Sequence, residues 1–120
     1  MIKKTNNNST LLKSIIQSIE DIKGQEIISL DFKKLENRMC SHFIVCSGTS
    51  NTHVKAISDT IKKNISKDLK VKPWKTEGEF AAEWVLIDYS EIIVHIFQKQ
   101  TREFYKLEEL WADAKSKKYN

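Results

Sequence analysis

The chain has 120 residues, 40% of them hydrophobic and 30% charged, with three Gly and one Pro; at roughly 100–200 residues per domain this is one globular domain, not a disordered or collagen-like chain. No apolar run approaches the roughly 20 residues of a membrane-spanning helix, and the Lys- and Asn-rich start offers no signal-type stretch, so a cytoplasmic protein is expected. The net charge of +4 is divided: residues 1–76 hold 14 Lys and Arg against 7 Asp and Glu, residues 77–113 hold 3 against 9, and Lys115, Lys117 and Lys118 follow. An acidic C-terminal third of this kind repels phosphate and attracts a basic protein.

Residues 1–9 have nothing to bury and are expected to form a flexible polar arm, leaving 10–118 as the domain. Leu11, Leu12, Ile15, Ile16, Ile19 and Ile22 recur at helical spacing, with Ser9 or Thr10 as N-cap and Gly24 as terminator. Residues 26–32 alternate as a strand, and Phe43-Ile44-Val45-Cys46 is a short run suited to a strand buried on both faces. Gly48-Thr49-Ser50-Asn51 supplies a turn and cap for a second helix along Val54, Ile57, Ile61, Ile65 and Leu69. Pro73 precedes a short edge strand at 74–76. Residues 83–88 and 91–97 read as a hairpin turning at Tyr89-Ser90, and a final helix from about Arg102 carries Phe104, Leu107, Leu110 and Trp111. The order αββαβββα predicts an α/β domain with a mixed β-sheet flanked by helices.

A two-residue turn at Tyr89-Ser90 sets Asp88 opposite Glu91, Leu86 opposite Ile93 and Trp84 opposite His95. One face of the hairpin is then Val85, Ile87, Ile92, Val94 and Ile96, which is aliphatic core. The other mixes Trp84, Leu86, Asp88, Glu91, Ile93, His95 and Phe97, a composition suited to a protein interface with an aromatic anchor. Tyr89 at the tip and Glu77, Glu79 and Glu83 upstream would add an acidic, aromatic rim. The alternative is that the last helix covers this face and Trp84 is a core anchor.

Other chemistry is weaker. Cys40, His42 and Cys46 share strand parity, yet they lack the close-set spacing of a zinc site, and nothing nearby activates Cys40 as a nucleophile. With no secretory signal, both cysteines are expected reduced. The Gly48–Ser50 turn could cradle a phosphate at a helix N-terminus. It is neither a Walker loop nor G-x-G-x-x-G, and no Asp-x-Asp pair stands ready for two metal ions. His53 reads as a satisfied first-turn residue, and Arg102 with Glu103 as a solvated helix start. No catalytic residue, metal or cofactor is expected.

Several segments, taken in this order and spacing, resemble the ribosomal silencing factor family, also known as Iojap. They are residues 21–27 with Leu30-Asp31, residues 43–50, residues 53–57, Glu77-Gly78, residues 83–89, residues 93–97 and residues 102–111. The resemblance implies a nucleotidyltransferase-like fold without that activity. It implies binding to ribosomal protein fourteen (uL-fourteen) of the large subunit, steric exclusion of the small subunit, and reduced translation under nutrient limitation. It also implies a possible homodimer and little direct contact with nucleic acid. The family's interface positions match Trp84, Asp88 and Tyr89, which are adjoined by Glu83 of the rim and by His95 on the face derived from pairing. The competing readings are an enzyme using the Gly48–Ser50 turn and an RNA-binding ribosome assembly module using the basic N-terminal region. Many relatives have an acid where this chain has Ser41, and a glycine where it has Ser90, which puts the two-residue turn in question.

Overall fold

The computed structural model describes the backbone of residues 3–35 and 40–120 and the side chains of residues 8–35 and 40–120. The elements run α1 (Lys3–Asp21), β1 (Gln25–Asp31), β2 (His42–Gly48), α2 (Asn51–Leu69), β3 (Lys75–Glu77), β4 (Trp84–Asp88), β5 (Ile92–Gln98), α3 (Lys99–Tyr105), α4 (Leu107–Leu110) and β6 (Lys115–Lys118). The strands form one sheet in the order β3-β4-β5-β2-β1-β6. It is mixed as expected, because β2 and β5 run parallel while the other neighbours are antiparallel.

Helices α1 and α2 cover one face of this sheet. Their isoleucine stripes, Ile15 and Ile19 on α1 and Ile57, Ile61 and Ile65 on α2, are fully buried with Val85, Ile87, Ile92, Val94 and Ile96 of the hairpin. The aliphatic face read from the sequence is therefore the main core. Each such side chain contributes about 1.5–3 kcal/mol by leaving water, so this layer fixes how the sheet is presented on its other side. Ser50 caps α2 as expected, its Oγ accepting the His53 N–H at 3.1 Å.

Four expectations are corrected. Helix α1 begins at Lys3, inside the stretch expected to be an arm, so Ser9 and Thr10 lie within it rather than capping it. Once the apolar turns have nucleated, each added residue gains a hydrogen bond at little cost. At its other end the left-handed residue is Lys23, with φ 67; the Gly24 N–H reaches back to the Ile19 carbonyl. Gly24 is required for space, since a Cβ there would stand 2.1 Å from Ile19 Cγ2.

The final helix is interrupted, because Lys106 takes a left-handed conformation (φ 49) between α3 and α4. Its N–H closes α3 onto the Arg102 carbonyl.

The chain then adds a strand absent from the expected order. β6 is Lys-Ser-Lys-Lys, with no apolar period to announce it, and it is held at its end instead. The Asn120 amide accepts from the Ile27 N–H at 3.0 Å and donates to the Gly24 carbonyl at 3.1 Å, while the Tyr119 hydroxyl meets Ser29 Oγ at 3.0 Å.

The hairpin turn lies one residue later than expected. Trp84 pairs with Phe97, Leu86 with His95 and Asp88 with Ile93. The Tyr89 N–H bonds the Ile92 carbonyl, and the Glu91 N–H folds back onto the Tyr89 carbonyl. Ser90 carries the positive φ of 77 that this tight turn demands. The pairing moves by two residues, so each side chain keeps its expected face.

Candidate functional site

The sheet face away from α1 and α2 carries the candidate site. Across the strands one row reads Glu77, Leu86, His95, Val45, Ile28 and Lys118; the next reads Lys75, Asp88, Ile93, Phe43, Leu30 and Ser116. The middle of this face is a second, smaller core in which Phe32, Phe43, Val45, Phe97 and Leu107 are buried, with Trp84, Ile93 and Trp111 packed half-buried against them. Helices α3 and α4 thus cover the β1–β2 side, while the β3–β4 side stays open. Trp84 anchors an aromatic cluster, as the core reading expected, and still presents an edge to solvent.

Trp84 is fixed from three directions. Its ring stacks on Phe97 at 4.8 Å, meets Tyr105 of α3 at 4.9 Å, and donates its indole N–H to Nδ1 of His95 at 3.1 Å. With Nδ1 accepting, the His95 proton sits on Nε2, which is buried with no partner among the described residues. Burial pushes the His95 pKa down to about 4, so at neutral pH the imidazole is uncharged. His95 is 4% exposed; its part in the site is to hold the indole rather than to touch a partner.

The remaining expected residues divide. Asp88 is half-buried on the open face, opposite Lys75, and one carboxylate oxygen accepts the Ser90 N–H at 2.7 Å. Glu83 is exposed just before β4, its carbonyl accepting from Gln98. Glu77 lies on the open face 3.5 Å from the Lys75 ammonium. Glu79 is drawn away into an ion pair with Lys62 of α2. Tyr89, expected as an exposed rim residue, is corrected: the shifted turn rotates it into the helix-side core, where it is 7% exposed. Its hydroxyl has no partner among the described residues, and burial raises its pKa to about 12. Glu91, expected on the mixed face opposite Asp88, is tied to the start of β2: its carboxylate accepts the Ser41 hydroxyl, and its backbone carbonyl accepts the Ser41 and His42 N–H groups. An acid at position 41 would face this carboxylate.

Two surface aromatics were missed. Tyr105 and Phe104, 51% and 78% exposed, extend the patch from Trp84, and their rings meet at 5.0 Å. The helical spacing of Phe104 with Leu107, Leu110 and Trp111 suggested burial, and the break at Lys106 separates it from the rest of that stripe. Arg102 is the reverse case, expected at the surface but 8% exposed. Its guanidinium donates to Glu108 at 2.9 Å, to the Glu26 carbonyl at 2.8 Å and to Ser47 Oγ at 2.9 Å, which clamps α3 to the ends of β1 and β2.

At the Gly48–Ser50 turn two groups that could meet a phosphate, the Thr49 N–H and the Ser50 hydroxyl, are engaged within the chain. The Thr49 N–H donates to Nδ1 of His53 at 2.9 Å, and Nε2 of His53 bonds the Ile22 carbonyl at 2.8 Å. His53 is the satisfied first-turn residue expected. Cys46 belongs to the helix-side core and Cys40 to the smaller core across the sheet, so their shared parity does not bring them together. Burial raises the Cys46 thiol to about 12.

Comparison with known proteins gives a consistent set of relatives. The family described as ribosomal silencing factor during starvation matches residues 5–120. A ribosomal silencing factor of Bacillus subtilis is 35% identical over 109 residues, covering 90% of each chain. A mouse protein named for mitochondrial assembly of the ribosomal large subunit is 37% identical over 79 residues, 63% of this chain and 34% of that one. A crystal structure of a Chromobacterium violaceum protein superposes with a TM-score of 0.81 at 36% identity, over 87% of this chain and 85% of that one.

Proposed function

The chain belongs to the ribosomal silencing factor family, and from that premise we propose that it represses translation by docking on the large ribosomal subunit and standing where the small subunit would join. Membership makes it a ribosome-associated regulator of translation. The finer reading rests on one observation, the half-open face on which Trp84 is held by Phe97, Tyr105 and His95 beside Leu86, Asp88 and Glu77. A rigid aromatic anchor with aliphatic neighbours and an acidic margin suits a basic protein surface. Its partner in this proposal is ribosomal protein fourteen of the large subunit, in the cytoplasm, with repression strongest under nutrient limitation. The chemistry is steric, with no bond made or broken.

Co-sedimentation with isolated large subunits tests the proposal, followed by addition of small subunits. Wild type should travel with the large subunit and prevent joining, and Trp84→Glu should do neither while keeping its fold. A folded Trp84→Glu protein that still blocked joining would place the active surface elsewhere. The homodimer implied by the resemblance is measured by light scattering on the same two proteins; loss of a dimer together with ribosome binding would mean that both use this face.

A further inference from the structure

We propose that β6 is a second ribosome contact, made to the phosphate backbone of RNA; this rests on the ribosome association proposed above. All four residues of β6 are exposed, and β6 is the outer edge of the sheet. Alternation directs Lys118 to the face that carries Trp84, and Lys115 and Lys117 to the other, so positive charge flanks the edge on both sides. Among the described residues none of these three lysines is in an ion pair. Asp31, opposite Lys115, is shared between Lys33 at 3.9 Å and His42 at 3.8 Å.

Lysine side chains guard an edge against aggregation by their charge, which does not call for side-chain anchoring of the strand. Here Tyr119 and Asn120 spend four hydrogen bonds to β1 and its approach on holding the strand in register. Trp84 and Asp88 lie on β4, next to the opposite edge and about 19 Å away across four strand spacings. With that edge on a basic ribosomal protein, the lysine edge is turned toward the RNA in which such a protein is embedded. Lys117 rests its ammonium over the Tyr119 ring, 5.1 Å from the centroid, and phosphate is the occupant that matches three ammonium groups with no carboxylate partner among the described residues.

The test is the salt dependence of binding to purified large subunits, for wild type and for a variant carrying Lys115→Gln, Lys117→Gln and Lys118→Gln. Each lost phosphate contact removes about 0.7–0.9 from the slope of log affinity against log salt, so the variant should be flatter by about 2 to 3. Replacing the same three lysines by Arg should restore the wild-type slope; failure to do so would mean that charge is not the cause and would overturn the proposal. Parallel lines for wild type and the Gln variant would overturn it alone. Wild type that does not bind subunits at any salt would remove the ribosome reading with it.

Discussion

Trp84 donates its indole N–H to Nδ1 of His95 across 3.1 Å, so the most prominent aromatic of the open face depends on a buried histidine staying neutral. The depressed pKa of about 4, against an ordinary 6.5, makes this a stability statement. Between those values the unfolded chain takes up a proton that the folded chain refuses. The contribution is therefore complete above about pH 6.5, declines as pH falls toward 4, and levels off below. It amounts to about 3 kcal/mol at most. Burial lowers the His42 pKa too, which adds in the same direction. Urea denaturation should give a midpoint that drops between about pH 7 and pH 4.5, and His95→Gln should remove most of that drop. An equally steep drop in the variant would show that the proton goes elsewhere.

The patch should behave as an anchor with a margin. Trp84→Ala should weaken binding to large subunits by at least about 30-fold, the loss of 2 kcal/mol expected of an interface hot spot. Phe104→Ala should leave stability within about 0.5 kcal/mol, because the ring is exposed and away from the cores, yet lower the affinity measurably. Binding of the Phe104 variant identical to wild type would confine the interface to the sheet and exclude α3.

Much of this arrangement was readable in the sequence because it depends on period. The isoleucines of α1 and α2 repeat at helical spacing, and β4 and β5 alternate so strictly that a two-residue error in pairing left every side chain on its expected face. What escaped depends on single backbone conformations or on tertiary contacts. Ser90 and Lys106 adopt positive φ with no glycine to signal it; the first carried Tyr89 into the core and the second separated Phe104 from Leu107, Leu110 and Trp111. β6 has no apolar pattern and is a strand because β1 offered an edge and Asn120 could reach Gly24 and Ile27. Arg102 is buried by its three partners, which lie 6 to 76 residues away in sequence.

The hairpin tip stores a small, removable strain. Ser90 holds φ 77 in a three-residue turn, a conformation that crowds a Cβ and that glycine adopts freely. Ser90→Gly should relieve about 1–2 kcal/mol of crowding and surrender about 0.4–1 kcal/mol through the freer unfolded chain. A modest net gain in stability, read as a higher thermal midpoint, is expected. Ribosome binding should be unchanged, since the serine hydroxyl makes no contact within the site. A lower midpoint would mean that the turn is not held in this form.

Arg102 offers the sharpest test of how the open face is built. Its guanidinium joins Glu108 on α4, Ser47 on β2 and the Glu26 carbonyl at the start of β1. Arg102→Leu would strand a half-buried carboxylate and a buried hydroxyl, at a cost of about 3 kcal/mol. Arg102→Lys should rescue little, because one ammonium cannot span the fork that serves three partners. The consequence for function runs through position: with α3 loosened, Tyr105 no longer backs Trp84. Subunit affinity should therefore fall in both variants even where denaturation shows the chain folded. If Arg102→Lys restored stability and still bound weakly, the guanidinium would be needed to place α3 rather than to hold the fold.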